Sequence, residues 1–241
     1  MSSFLVPSFL RLLVHLDSQG QEFKLFFRTF GTDLPILAKE LNDFCEGRHP
    51  QFPEVRLDGS DGRRDLRLQT GAEGGACRLA RIQHRKDGHF VLISGQSGLD
   101  EEGLPDLDAL SLAGTAVEGQ EAVTRVFAEM TADNHTFGLR DDYTWWNDHK
   151  RDGNFGKLLL LDPEDTQRLQ LFVDDNIKRT PEEGHGIVDV RDSKTWEPIP
   201  PHKTFGRYVA RCSPYAAVTD SDYYINLVQK HVAALRQVNF T

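Results

Sequence analysis

The sequence predicts an α/β protein built on a doubly wound, mostly parallel sheet, and three observations predict it. Compact apolar runs of strand length, 23–27, 169–173 and 186–190, lack polar alternation, as strands buried on both faces of a parallel sheet do. These runs share the chain with stretches whose apolar residues recur at helical spacing, the grammar of an α/β domain. The runs also end at polar or charged residues, Thr29, Asp174-Asp175 and Arg191-Asp192, and open α/β sheets gather ligands at such strand ends.

Each element follows in chain order. Residues 4–16 read as a helix with Pro7 in its first turn and Phe9, Leu10, Leu13, Val14 and Leu16 turned inward. This run has Arg11 inside it and no basic residue before it, unlike a targeting segment, and it is well short of the roughly 20 residues that span a bilayer. The strand at 23–29 ends in Arg28-Thr29-Phe30-Gly31, and Thr32-Asp33 opens a helix with Leu34, Leu37, Ala38, Leu41 and Phe44 on one face and Gly47 as its stop. Residues 52–112 change character. Arg78–Ile82 and His89–Ile93 flank Lys86-Asp87-Gly88 as a hairpin, among Gly-rich polar stretches and an acidic loop at 100–108. This segment is expected to be a β-rich insertion into an α/β core made of residues 1–51 and 113–241. The core then resumes with a helix through Ala122, Val123, Val126, Phe127 and Met130, and a short strand at 135–139. An aromatic, acidic loop follows at 140–154, then the strands ending at Asp174 and Arg191, and a last helix at about 221–236.

Composition narrows the class. With 39% hydrophobic and 10% aromatic residues, the 241-residue chain can fill a core. Its net charge of −9 argues against nucleic acid or an anionic membrane as a general partner. Cys45, Cys77 and Cys212 are odd in number and widely spaced, which suggests neither a disulfide framework nor a zinc site and fits a cytoplasmic protein.

Four groups could carry chemistry. Arg28, Thr29 and Gly31 lie where a strand runs into a helix N-terminus, so a hydroxyl beside unpaired N–H groups would make a phosphate-sized pocket. Asp174 and Asp175 are adjacent carboxylates at a strand end; they repel each other, and Mg²⁺, which takes one or two protein carboxylates, would relieve them. Helix capping is the alternative for that pair. Lys157, in Gly156-Lys157, would neutralise a phosphate or simply lie in solvent. Trp145 and Trp146 would form a substrate wall or plug the core edge.

In order and strand context these groups resemble the haloacid dehalogenase-like superfamily of phosphohydrolases. That family sets a Thr or Ser after a hydrophobic strand, then a Lys, then an acidic pair after another hydrophobic strand. Thr29, Lys157 and Asp174-Asp175 match those three motifs. The resemblance implies a three-layer, Rossmann-like sheet, a cap at 52–112, Mg²⁺ at the acid pair, a phosphorylated small-molecule substrate, and Thr29 and Lys157 in the catalytic machinery.

One motif is missing. The family's nucleophile is the first Asp of Asp-x-Asp after a hydrophobic strand, and nothing before Thr29 matches. Asp17-Ser18-Gln19 lacks the second acid, and Asp220-Ser221-Asp222 follows Ala216–Thr219 but comes after every other motif. Without that carboxylate the covalent route is closed. The missing strand would be central, between those ending at Thr29 and Asp174; either residues 2–6 fill part of its place, the sheet closes up, or the chain is shortened from a longer protein. Three functions follow: a family member with a phosphate and Mg²⁺ half-site and no turnover, an active Mg²⁺-dependent phosphatase using Asp17 or Asp220, or a binding module.

Overall fold

The structure is a computed structural model, and it describes residues 4–60, 62, 64–71, 76–95, 116–132, 134–165 and 168–238, with side chains described up to 234. In chain order the elements are α1 (Pro7–Ser18), β1 (Phe26–Thr29), α2 (Leu34–Cys45), β2 (Leu79–His84), β3 (Phe90–Ser94), β4 (Ala116–Glu118), α3 (Gln120–Ala132) and β5 (Phe137–Arg140). They continue with α4 (Tyr143–Asp148), β6 (Lys157–Leu161), β7 (Phe172–Asp174), β8 (Val188–Asp192), α5 (Pro201–Thr204), β9 (Val209–Arg211), α6 (Pro214–Thr219) and α7 (Tyr223–Val238). The protein is α/β. Among the described residues no helix is long and apolar enough to cross a membrane.

The chain divides into two compact units, one of Met1–Leu5 with Glu22–Tyr143 and one of Val6–Gln21 with Thr144–Thr241. The first unit holds a five-stranded sheet in the order β1-β5-β2-β3-β4. Strands β1, β5 and β2 run parallel, while β2, β3 and β4 are antiparallel. Successive strand residues point to opposite faces, and two contacts use this to place the helices. Phe127 of α3 stacks on Phe26, which pairs with Phe137. On the other face, a Cβ added at Gly138 would lie 2.8 Å from Leu79, 3.2 Å from Leu34 of α2 and 3.3 Å from Leu68. Helices α2 and α3 therefore cover opposite faces, and glycine at 138 lets α2 and the 66–68 segment close on the sheet.

Several sequence expectations change here. The hairpin forms, with Arg85 N–H on His89 O at 3.0 Å and Gly88 at φ +85°. It does not lie apart from the α/β elements, because β2 pairs in parallel with β5, which separates it from β1. The acidic loop at 100–108 lies outside the described residues. Strand β1 is half-buried, not buried on both faces, and among the described residues it is an edge strand that pairs with β5. Phe4 and Leu5 do not extend the sheet; their N–H groups donate to the Glu40 carboxylate at 2.6 and 3.0 Å.

The second unit carries two parallel pairs, β6 with β8 and β7 with β9. Leu158, Leu161, Val188 and Val190 form its buried apolar centre. Helix α1 buries Leu10 and Leu13; its Ser8 Oγ donates to Ala217 O of α6 at 2.5 Å, and Phe9 meets Tyr224 of α7 edge-on. Strands β1 and β7, expected to flank one central strand, belong to separate sheets. Residues 216–219, which resemble a strand before Asp220, are helical in α6, because Ser213 caps them by accepting from Ala216 N–H. Asp17 lies in the last turn of α1. Neither alternative nucleophile stands at a strand end.

Candidate functional site

Within the first unit, Thr29 closes β1 as expected, but its hydroxyl is already engaged. It accepts from Gly31 N–H at 2.9 Å and donates to Asp33 Oδ2 at 3.1 Å. Gly31 is needed for that closure, since a Cβ there would come within 2.1 Å of Asp33 Oδ1. The carboxylate of Asp33 thus stands where the sequence placed a phosphate, and a second anion beside it would be repelled.

Arg28 is likewise spent. Its Nε donates to Asp141 Oδ2 at 2.9 Å and its Nη2 to Asp141 Oδ1, a two-pronged pair whose side chains are 7% and 3% exposed. The guanidinium also lies 5.9 Å from the Phe127 ring centroid. Fork-to-fork geometry of this kind fixes the end of β1 against the end of β5.

The second unit assembles Lys157 and the acid pair. Lys157 opens β6 and Asp174 ends β7, seventeen positions later, and Nζ donates to Asp174 Oδ2 at 2.8 Å. The two side chains are 6% and 11% exposed. Asp174 Oδ1 accepts from Asn176 N–H at 2.8 Å, and Asp175, which is exposed, accepts from Asn176 Nδ2 at 2.9 Å. Lys157 is therefore a buried strand residue, and its partner is a carboxylate within the chain.

That pairing bears on Mg²⁺. The case for the ion rests on two carboxylates lacking compensation, but Lys157 supplies it to Asp174. Among the described residues no group of three His, Cys, Asp or Glu side chains comes together to hold a metal. A hard cation at Asp174 would also meet the ammonium. The residues present do not fit a magnesium site as the chain stands.

Trp145 and Trp146 belong to α4, not to a loop. Trp145 and Phe155 flank His149, with ring centroids 4.1 and 4.0 Å away, and His149 Nδ1 donates to Trp145 O at 2.7 Å. Trp146 Nε1 donates to Gly186 O at 3.3 Å, with Arg151 over its ring. These contacts tie the indoles into their own unit as packing groups.

Sequence reasoning passes over one further buried pair. His84 ends β2, and both its backbone N–H and its Nδ1 lie on Asp142 Oδ2, at 2.9 and 3.2 Å. The partners are 58 positions apart, so no local spacing signals them. The clue in the sequence is that Asp142, like Asp141, follows a strand end. Compared with known proteins, the chain matches no family model, no curated protein and no solved structure.

Proposed function

We propose that this chain is a haloacid dehalogenase-like phosphohydrolase-family protein without hydrolytic turnover. The observation that carries this reading is the buried Lys157–Asp174 pair at 2.8 Å, set at the C-terminal end of parallel strand β7. It unites the Lys and the acid that the resemblance assigns to one site. Helices on both faces of a sheet whose β1 and β5 are parallel support the layered architecture that the resemblance implies.

The same geometry argues against catalysis by this chain. A phosphoryl group needs a nucleophile, and neither Asp17 nor Asp220 follows a strand. A phosphorylated small molecule is the ligand class retained here, but it would have to draw Lys157 from Asp174.

The test is hydrolysis of p-nitrophenyl phosphate by the purified chain with and without Mg²⁺, beside Asp174→Asn. The expected result is no difference among the four. Mg²⁺-dependent turnover abolished by Asp174→Asn would overturn the loss of activity. Titration with inorganic phosphate, followed by NMR, tests the ligand class. Shifts centred on residues 157 and 174 support it, and saturation elsewhere in the chain refutes it.

A further inference from the structure

The second unit also holds an open cavity of about 460 Å³ between the turn after β8 and the segment joining α5 to β9. Small-molecule sites span roughly 300–1,000 Å³, so the space suits a ligand of a few residues or rings. Neither Lys157 nor Asp174 lines it, and nothing in the proposed function uses it.

Both walls are fixed by backbone bonds. On one side Asp192 Oδ1 accepts from Lys194 and Thr195 N–H at 2.8 and 3.0 Å, and Asp192 N–H donates to Glu197 O at 3.0 Å. Trp196 is held there at φ +62°, with its side chain buried and its carbonyl accepting from Arg191. On the other side Arg207 and Tyr208 N–H both donate to Thr204 O, His231 Nδ1 donates to Arg207 O at 3.1 Å, and Phe172 N–H donates to Tyr208 O at 2.8 Å. A backbone pinned from three directions leaves only the side chains to be ordered on binding.

The charges are the informative part. Lys203 and Arg207 line the cavity together with Asp192 and Glu197. Among the described residues no pair of these four side chains lies within ion-pair distance, and Lys203, Arg207, Glu197 and the Tyr208 hydroxyl make no side-chain hydrogen bond. Neighbouring Lys194, by contrast, is taken up by Asp162 and Glu164 at 3.2 and 2.7 Å. Two cations and two anions that line one space together with Ile199, Pro200 and Tyr208 complement a molecule that carries both charges and an apolar group.

We propose that this cavity binds a short zwitterionic peptide. Its carboxylate meets Lys203 and Arg207, its ammonium meets Glu197 and Asp192, and an apolar side chain lies on Ile199, Pro200 and Tyr208. A simple anion would engage only one of the two arms.

Isothermal titration of the full chain tests this with glycyl-phenylalanine, its N-acetyl derivative and its C-terminal amide. The free dipeptide is expected to bind about tenfold more tightly than either blocked form, one charge-assisted arm being lost in each. Arg207→Ala should weaken the dipeptide about tenfold and leave the amide unchanged; Glu197→Gln should weaken the dipeptide similarly and leave the acetyl form unchanged. A misfolded variant would lower all three together, so the crossed pattern separates loss of an arm from loss of structure. Equal binding of the dipeptide and its acetyl form would mark an anion site and overturn the proposal. So would no saturable binding of the dipeptide up to about 10 mM, beyond the weakest affinity two charged arms should give.

Discussion

Replacing Lys157 by Met keeps the length of the side chain and removes its charge, leaving the Asp174 carboxylate with Asn176 N–H as its remaining described partner. Breaking a buried ion pair from one side costs about 3–5 kcal/mol, because the other charge is left desolvated. Asp174 keeps one hydrogen bond and is 11% exposed, which puts the expected loss near 3 kcal/mol, roughly a hundredfold in the unfolding constant. Asp174→Asn alone should cost a similar amount. In the double variant the two losses should fall short of their sum by about 2 kcal/mol, since neither side then strands a charge. The assay is built into the chain: its 3 Trp residues, Trp145, Trp146 and Trp196, all lie in the second unit. Urea unfolding followed by Trp fluorescence therefore reports on the unit that contains the pair. A loss under about 0.5 kcal/mol for Lys157→Met, the size seen for an exposed pair, or strict additivity in the double variant, would refute the reasoning.

Three other outcomes are expected. Burial pushes His185 down to about 4, and its Nε2 lies 2.7 Å from Thr204 Oγ1, which itself donates to Pro201 O, so the ring is neutral with its proton on Nε2. An unfolded His takes up its proton near pH 6.5, so the second unit should lose stability as pH falls from about 6.5 towards 4; a urea-midpoint profile over that window should flatten in His185→Gln. Gly138→Ala should cost about 1–3 kcal/mol by overpacking Leu79, Leu34 and Leu68, read as faster hydrogen exchange along β5 and β2 with the Trp signal unchanged. Ser8→Ala leaves the buried Ala217 carbonyl short of a donor and should lower the second unit's stability by about 1–3 kcal/mol in the same urea assay.

Much of the element order is legible in the sequence because its signals are local. The apolar spacing of Leu34 to Phe44, the Lys86-Asp87-Gly88 turn and the apolar runs before Asp174 and Arg191 each announce an element within a few residues. Strand β6 escapes because Leu158-Leu159-Leu160-Leu161 is a short apolar run of a kind that strand and helix share. Helix α6 escapes because Ala216–Thr219 suits a strand until the Ser213 cap and Pro214 are weighed. The α/β layout does not reveal that β2 lies beside β5, since pairing is set by partners 59 positions away. The candidate site divides in the same way. Residue types at strand ends can be read directly, but Asp33 closing Thr29, Asp141 holding Arg28 and Asp174 holding Lys157 are spatial facts. Each assigns to a neighbour within the chain a charge or hydroxyl that residue type alone would leave for a ligand.

The first helix has a consequence for how the protein is made. Helix α1 leaves the ribosome before any part of the first unit beyond residue 5, yet the partners of its apolar stripe, α6 and α7, are more than 190 residues downstream. Translation at about 5–20 residues per second leaves that stripe unmatched for roughly 10–40 s. The first unit has no such wait, because β5 completes its sheet at residue 140. Vectorial synthesis thus favours a first unit that forms early and a second unit whose α1 meets α6 and α7 last. In the meantime the nascent helix is a natural client for a holdase, and slowing the ribosome over residues 143–213 should lengthen that dependence.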